Sequence, residues 1–320
     1  MTVISTHSLD SAPTPAGAGI FSASAVAGDA RAVALQSTLA ATVAAPGLLP
    51  MPARPGAGAP ADPRHFVTLE GVGRETLLAL IAESARERAW LALGEPNRDD
   101  LAGATIVIAF IEDSTRTRTS FEIAAQRLGA NTVMFSSAAS SLNKGETLLD
   151  TVRLFEALGA ALVVLRHPAS GTPSWLARQL GRMGVVNAGD GTHQHPTQGL
   201  LDLLTLSDAW DGRFEGRRLA IVGDIAHSRV ARSAIAGLTT LGASVTVCGP
   251  ATLLPADVEQ LGCSLAPTLA DALDGADAVM ALRLQTERME KCLLPSLGEY
   301  ARIWGLTPER VALLAPHAVV

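Results

Sequence analysis

Short apolar runs alternate with segments of helical periodicity along this chain from Phe66 onward, and this alternation restricts its fold more than any other feature. The run at 104–110, ATIVIAF, is long enough for one buried strand, and residues 73–92 place apolar side chains at helical spacing. Such alternation predicts parallel sheets with helices on both faces. The predicted strands are 104–110, 131–135, 161–165, 184–187, 218–222, 244–248 and 277–282, and the predicted helices are 73–92, 117–129, 146–159, 174–183, 196–208, 229–241, 268–274 and 307–314.

A turn-rich gap at 211–217 divides this pattern into two parts. Because the helix at 196–208 comes just before the gap, we predict an α/β protein with two doubly wound parallel-sheet domains joined by that helix. Residues 1–63 are rich in Ala, Ser, Pro and Gly, a composition typical of a disordered or loosely packed extension. The expected domains are therefore 64–197 and 198–320, preceded by this extension.

The balance of charge limits the partners that this chain can bind. Its 320 residues carry a formal net charge of −6, which argues against general nucleic-acid binding, since that needs a broad basic surface. A local cluster of cations must therefore attract any anionic ligand. The sequence has no uncharged apolar stretch of the roughly 18 residues that a membrane span needs. Cys248, Cys263 and Cys292 lie at no metal-ligand spacing, and we interpret them as reduced thiols of a cytoplasmic protein.

The segment Ser114-Thr115-Arg116-Thr117-Arg118 follows the first predicted strand and opens the next helix. Hydroxyls and free backbone N–H groups at a helix N-terminus form an anion site, and an arginine adds a planar fork suited to phosphate oxygens. The alternative is a simple N-cap with surface arginines. Two arginines interleaved with three hydroxyls favour phosphate binding.

Two further cations stand where loops or strands end. Lys144 lies in a polar loop that also contains Ser140, and such a loop can bring an ammonium group into a neighbouring site. The alternative, favoured by this segment alone, is a solvated surface loop. Arg166 ends the strand predicted at 161–165, which is a typical position for a ligand-binding residue. An ordinary surface arginine remains equally compatible with that position.

The loop at 187–195, NAGDGTHQH, is rich in glycine and leads into a helix. His195 and Gln198 stand three residues apart and so share one helix face, where both can bind a substrate carbonyl. His193 and His195 invite a metal hypothesis, but no nearby carboxylate or cysteine completes a tetrahedral set. A structural capping role for His195 is the remaining alternative.

Two later segments hold residues suited to carboxylates. Arg229 begins a helix after a Gly-rich turn at 223–228 that lacks the G-x-G-x-x-G spacing, so we reject dinucleotide binding. Arg283 and Gln285 alternate after a strand and would project to one side of an extended segment. A charged surface loop would explain this second segment equally well.

Taken together, these segments resemble the aspartate/ornithine carbamoyltransferase family over residues 66–320. His195-Pro196-Thr197-Gln198 is similar to the aspartate branch, since the ornithine branch usually has Cys at the third place, and no Ser-Met-Gly loop of the ornithine type is present. The motifs that carry the resemblance, in order, are STRTRTSFE at 114–122, KGET at 144–147, LRHP at 165–168, NAGDGTHQHPTQ at 187–198, GDIAHSR at 223–229 and LRLQTERM at 282–289.

The resemblance implies transfer of a carbamoyl group from carbamoyl phosphate to L-aspartate without a metal or an organic cofactor. The implied carbamoyl phosphate ligands are Ser114, Thr115, Arg116, Thr117, Arg166, His195 and Gln198, of which Arg116, Thr117 and His195 are the catalytic residues. The implied aspartate ligands are Lys144, Arg229, Arg283 and Gln285. Ser140 and Lys144 would enter the site of the adjacent subunit, which implies a homotrimer with shared active sites.

The same resemblance leaves other outcomes open. Ornithine or another amine is an alternative acceptor, and a catalytically silent regulatory or scaffolding subunit is an alternative function. Another pyrimidine-pathway enzyme or a regulatory chain is a candidate partner. In family members a strand like 318–320 leads into a His-Pro-x-Pro loop and a helix that returns to the first domain. This segment is missing from 198–320, so the resemblance predicts incomplete activity for these 320 residues.

Overall fold

The computed structural model describes residues 64–136, 145–285 and 293–320. The first sheet has five parallel strands in the order β1-β5-β4-β2-β3. Its strands are β1 (His65–Phe66), β2 (Thr105–Phe110), β3 (Asn131–Ser136), β4 (Leu162–His167) and β5 (Gly184–Asp190). The helices of this part are α1 (Arg74–Ala92), α2 (Thr115–Arg127), α3 (Leu148–Ala157) and α4 (Thr172–Ala177).

The second sheet has four parallel strands in the order β8-β7-β6-β9. Helix α5 (Pro196–Ala209) connects the first sheet to it. The strands are β6 (Arg218–Val222), β7 (Ser244–Cys248), β8 (Ser264–Leu265) and β9 (Ala278–Ala281). The helices are α6 (Arg229–Thr240), α7 (Leu269–Leu273), α8 (Leu297–Trp304) and α9 (Pro308–Val311), with 3₁₀ turns at Ala251–Leu253 and Val258–Leu261. Two parallel sheets with alternating helices confirm the predicted fold class.

Close packing of α5 against α6 holds the two sheets together. A Cβ atom added at Gly199 would lie 2.6 Å from Leu69 Cδ1 and 2.9 Å from Ser233 Cβ. Only a residue without a side chain fits between these neighbours, so glycine lets the two helices approach closely. One apolar core runs through this contact from the first sheet to the second. The position of α6 relative to the first sheet is therefore fixed by dense packing.

Several predicted boundaries differ from the structure for local reasons. The helix predicted at 174–183 spans only Thr172–Ala177, because the backbone amides at 181–183 instead bind the Glu156 carboxylate. Strand β5 continues beyond the predicted 184–187 to Asp190, since its polar side chains are buried and hydrogen-bonded. Strands β1 and β8 have two residues each, too few for a period to be read. Within the described part of the chain, no helix is both long and apolar enough to span a bilayer.

Candidate active site

A cavity of about 750 Å³ lies at the carboxyl ends of strands from both sheets. Loops after β2, β4 and β5 form one side, and the start of α6 with the segment after β9 forms the other. A ligand in this cavity would therefore touch both halves of the protein. The lining residues are Glu112, Asp113, Arg166, Pro168, Ser170, Gly191, Thr192, His195, Ser228, Arg229, Val230, Arg283 and Gln285.

The cavity gathers cations that are far apart in the sequence. Arg166 comes from the first sheet, and Arg229 and Arg283 come from the second. His195 and Gln285 line the same cavity. Five of the residues selected from the sequence are thus brought to one place, where they form a site suited to an anionic ligand.

Glu112 is a central residue of the cavity that sequence reasoning missed. Its Oε1 atom lies 2.6 Å from the Nη2 atoms of both Arg166 and Arg229, and its Oε2 atom lies 3.1 Å from Arg229 Nη1. Arg166 is 9% exposed and Arg229 is 4% exposed. Two nearly buried guanidinium groups need a counter-charge, and Glu112 supplies it. The available signal was its position, two residues before the predicted phosphate motif.

Local backbone structure places Arg229 at the cavity. The Ser228 hydroxyl accepts a hydrogen bond from Ala231 N at 3.1 Å, so Ser228 caps α6 and Arg229 is its first residue. The guanidinium packs against Gly189, which has a φ of +112°. A Cβ atom at this glycine would lie 2.9 Å from Arg229 Cζ. Both the backbone conformation and the close contact therefore require glycine.

His195 is 7% exposed and faces the cavity from the start of α5. It occupies the N-cap position, but its side chain makes no capping hydrogen bond. Its ring Nδ1 instead lies 3.3 Å from Thr197 Oγ1, and its backbone N–H donates to Ser233 Oγ at 2.9 Å. This geometry argues against the structural capping alternative and leaves the His195 side chain at the wall of the cavity.

His193 has a different role from His195. Its Nδ1 atom lies 3.0 Å from Oδ2 of Asp190, a fully buried residue. This hydrogen bond raises the pKa of His193, although burial opposes it. Among the described residues, no group of three His, Cys, Asp or Glu side chains could hold a metal ion. The hydrogen bond to Asp190 ties His193 to the buried end of β5.

The raised pKa of His193 predicts how stability depends on pH. Protonated His193 stabilises the fold fully below its unfolded pKa of about 6.5, and this stability is lost as pH rises through the raised folded pKa. The free energy of unfolding of wild type relative to His193→Gln should thus fall over that range. Urea unfolding of both proteins from acidic to alkaline pH tests this. Parallel pH curves for the two would contradict it.

Asp224 holds the segment that follows β9. This buried carboxylate accepts the Gln285 N–H at 3.2 Å and lies 2.8 Å from His227 Nδ1. Arg283 Nη2 donates to Gln285 Oε1 at 3.0 Å. Both side chains line the cavity, which confirms that they project to one side. The loops after β6 and β9 are therefore tied together at the candidate site.

The predicted phosphate motif lies beside the main cavity. Ser114 is the N-cap of α2, yet its side chain makes no capping hydrogen bond. Ser114 and Thr115 line a second cavity of about 320 Å³, which shares Asp113 with the first. The described residues that line the two cavities do not include Arg116, which is exposed, or Thr117, which is partly buried.

The remaining residues selected from the sequence either do not line the main cavity or lie outside the residues that the structure describes. Gln198 Nε2 donates to Asp202 Oδ1 at 2.8 Å, and Gln198 is absent from the described lining of the main cavity. Ser140 and Lys144 lie outside the described residues. The proposed roles of these residues, like those of Arg116 and Thr117, stay predictions.

Comparison with known proteins assigns the family. A family model described as aspartate/ornithine carbamoyltransferase, carbamoyl-P binding domain, matches residues 64–208. The aspartate carbamoyltransferase catalytic subunit of Gloeobacter violaceus is 50% identical over 263 residues, which cover 79% of this chain and 80% of that protein. This chain belongs to the aspartate/ornithine carbamoyltransferase family.

Solved structures of this carbamoyltransferase family have the same fold. Aspartate transcarbamoylase from Trypanosoma cruzi in complex with carbamoyl phosphate and aspartate superposes with a TM-score of 0.70 and 30% identity, covering 80% of this chain and 84% of that one. The same enzyme in complex with N-(phosphonacetyl)-L-aspartic acid gives a TM-score of 0.70 and 30% identity, covering 80% and 83%. The carbamoyltransferase resemblance of the sequence motifs is thereby confirmed.

Proposed function

We propose that this chain transfers the carbamoyl group of carbamoyl phosphate to the α-amine of L-aspartate, forming N-carbamoyl-L-aspartate and phosphate for de novo pyrimidine biosynthesis. The observation that carries the proposal is the single cavity that joins Arg166 and His195 to Arg229, Arg283 and Gln285. The names of its relatives support the same reaction. Residues 64–197 form the carbamoyl phosphate-binding domain and residues 198–320 the aspartate-binding domain.

The first half of the site holds the electrophile. Arg166 and His195 lie in the wall where the carbamoyl oxygen would be polarised. The neutral α-amine attacks the carbonyl carbon, and negative charge develops on that oxygen in the tetrahedral intermediate. Arg116, Thr117 and His195 stabilise this charge, an effect worth about 3–4 kcal/mol for a well-placed donor. The C–O bond to phosphate then breaks, and the departing phosphate accepts the proton of the amine.

The second half of the site holds the nucleophile. Aspartate has two carboxylates, and the guanidinium groups of Arg229 and Arg283 are suited to them. Gln285 adds an amide beside Arg283. Because both reactants are bound at once, positioning alone can supply roughly 7–11 kcal/mol of the barrier. The scheme therefore uses no protein nucleophile, metal or organic cofactor.

The phosphate group is assigned to the start of α2. Ser114, Thr115, Arg116 and Thr117 surround the first turn, whose backbone N–H groups have no partner within the helix. Ser114 makes no capping bond, so its hydroxyl suits a phosphate oxygen. Gln198 contributes to the carbamoyl group from α5. Because the side chain of Arg116 is exposed, it can turn toward the bound phosphate.

The amine that accepts the carbamoyl group distinguishes the aspartate branch of the family from the ornithine branch. With carbamoyl phosphate present, we expect turnover with L-aspartate and less than about 1% of it with L-ornithine, because an ammonium side chain would face Arg229 and Arg283. Phosphate release with each amine tests this. Preference for ornithine would reject the proposed acceptor, and no release with any amine would favour a silent regulatory or scaffolding subunit.

The proposed assembly is a homotrimer in which Ser140 and Lys144 reach the site of the neighbouring chain. Strand β3 is an edge strand that ends just before this loop, and it exposes apolar side chains, with Val133 44% and Met134 42% exposed. Successive side chains of a strand project to opposite faces, so apolar surface is exposed on both sides of this edge, which suits a protein interface. Another pyrimidine-pathway enzyme or a regulatory chain is a further proposed partner.

The proposed location is the cytoplasm, which suits an enzyme of nucleotide synthesis. Cys248 and Cys263 are free and buried, and burial raises the pKa of the Cys248 thiol to about 11. Thiols of this kind are unreactive, as expected of structural cysteines in a reducing compartment.

A further inference from the structure

A chain of hydrogen bonds leads away from the cavity behind His195. The His195 backbone N–H donates to Ser233 Oγ at 2.9 Å, and the Ser233 hydroxyl donates to Gln194 Oε1 at 2.6 Å. Gln194 Nε2 then donates to Glu70 Oε1 at 2.8 Å. Gln194 and Ser233 are both fully buried. The chain therefore runs from the candidate site through two buried side chains to Glu70, an exposed residue of the loop after β1.

These bonds connect parts that belong to different sheets. Glu70, Gln194 and His195 come from loops after β1 and β5, whereas Ser233 lies on α6 of the second sheet. Ser233 also stands four residues after Arg229, so the two share one face of α6. The His195–Ser233 bond therefore fixes the backbone that carries His195 relative to the helix that presents Arg229.

The orientation of the Gln194 side chain decides whether this chain stays intact. An amide has a donor end and an acceptor end, and either could face Ser233. A glutamate carboxylate only accepts, so Glu70 requires the NH₂ group of Gln194 to face it. The amide oxygen must then face the Ser233 hydroxyl. With its proton directed there, Ser233 Oγ presents a lone pair to the His195 N–H.

We propose that Glu70 is a positioning residue for the transfer reaction. It orients the Gln194 amide, which in turn directs the Ser233 hydroxyl. That hydroxyl holds the His195 backbone in place relative to Arg229. The inference rests on the proposed function, since it concerns ligands that bridge the two halves of the site. It predicts that replacing Glu70 lowers the affinity for ligands that contact both halves of the site far more than the affinity for ligands that contact one half.

Binding of two probes to the full chain tests this. For Glu70→Ala, we expect affinity for N-(phosphonacetyl)-L-aspartic acid, which has a phosphonate and two carboxylates, to fall about tenfold, the range for one charge-assisted hydrogen bond. Affinity for inorganic phosphate should stay within about twofold of wild type. Glu75→Ala, in an exposed first-turn residue of α1, is the control and should match wild type with both probes.

A residue swap separates orientation from general destabilisation. Gln194→Glu places a second carboxylate beside that of Glu70 and should lower the affinity for the bisubstrate probe tenfold or more. Adding Glu70→Gln restores a donor opposite the carboxylate introduced at position 194, which still accepts from Ser233. The double variant should therefore recover to within about threefold of wild type. This rescue remains decisive even if Glu70→Ala fails to fold.

The outcomes are distinguishable. Lack of probe binding by wild type would reject the proposed function itself. If wild type binds but Glu70→Ala binds the bisubstrate probe equally well, or if the double variant is no better than Gln194→Glu, the positioning role of Glu70 is overturned. Equal loss of affinity for phosphate and for the bisubstrate probe would likewise overturn it, because general damage would explain that result.

Discussion

Replacing Arg166 by alanine is expected to lower kcat/KM at least about a thousandfold. Arg166 is the second-to-last residue of β4, is 9% exposed and lines the same cavity as His195. Loss of one preorganised donor to a developing oxyanion reduces rates by about 10²–10³, and loss of ground-state contacts with carbamoyl phosphate adds to this. Steady-state assay with both substrates varied measures the effect.

Two further variants make this test specific. Arg166→Lys keeps the charge but loses the planar fork, so it should remain at least tenfold below wild type. Arg153→Ala, in an exposed residue of α3, should behave as wild type. Thermal unfolding checks that each protein is folded. A folded Arg166→Ala enzyme within tenfold of wild type would show that this arginine does not act on the reacting group.

Mixing two inactive variants is expected to restore activity. Chains carrying Lys144→Ala and chains carrying Arg166→Ala should each be nearly inactive as pure proteins. If each site takes Lys144 from one chain and Arg166 from its neighbour, random reassembly of an equal mixture gives about one intact site in four. The mixture, dissociated and reassembled, should then recover about a quarter of wild-type activity.

The control for this experiment is a mixture of two variants whose changed residues must both come from the same chain in any one site. Chains carrying Arg166→Ala mixed with chains carrying His195→Ala have no intact combination, since both residues line one cavity of one chain. That mixture should stay inactive. Recovery in the control, or none in the first mixture, would contradict the shared site, and a monomeric mass in solution would contradict the trimer.

Much of the fold could be predicted because its buried strands have an unambiguous pattern. Strand β2 is a continuous apolar run whose residues 106–110 are all buried, and β7 spans the predicted residues 244–248. The sequence did not predict helix α8, none of whose residues is buried. Local pattern therefore predicts the elements that pack in the interior better than those at the surface.

The candidate site was only partly predictable for a different reason. Arg166 lies near the carboxyl end of β4, and Arg229 and Arg283 come after β6 and β9. Parallel topology brings such positions to one edge. Glu112 has no motif of its own, since its role comes from two arginines 54 and 117 residues away. Gln194 and Ser233 meet only because α5 and α6 pack closely at Gly199. Contacts of this kind, between segments far apart in the chain, depend on tertiary packing and cannot be predicted from local sequence patterns.

The position of Glu112 has a consequence for turnover. This side chain is a counter-ion that holds two guanidinium groups close together. An anion that binds either arginine must compete with a carboxylate that already contacts both of them. Because that carboxylate is part of the protein, dissociation of such an anion need not leave two buried guanidinium groups unpaired.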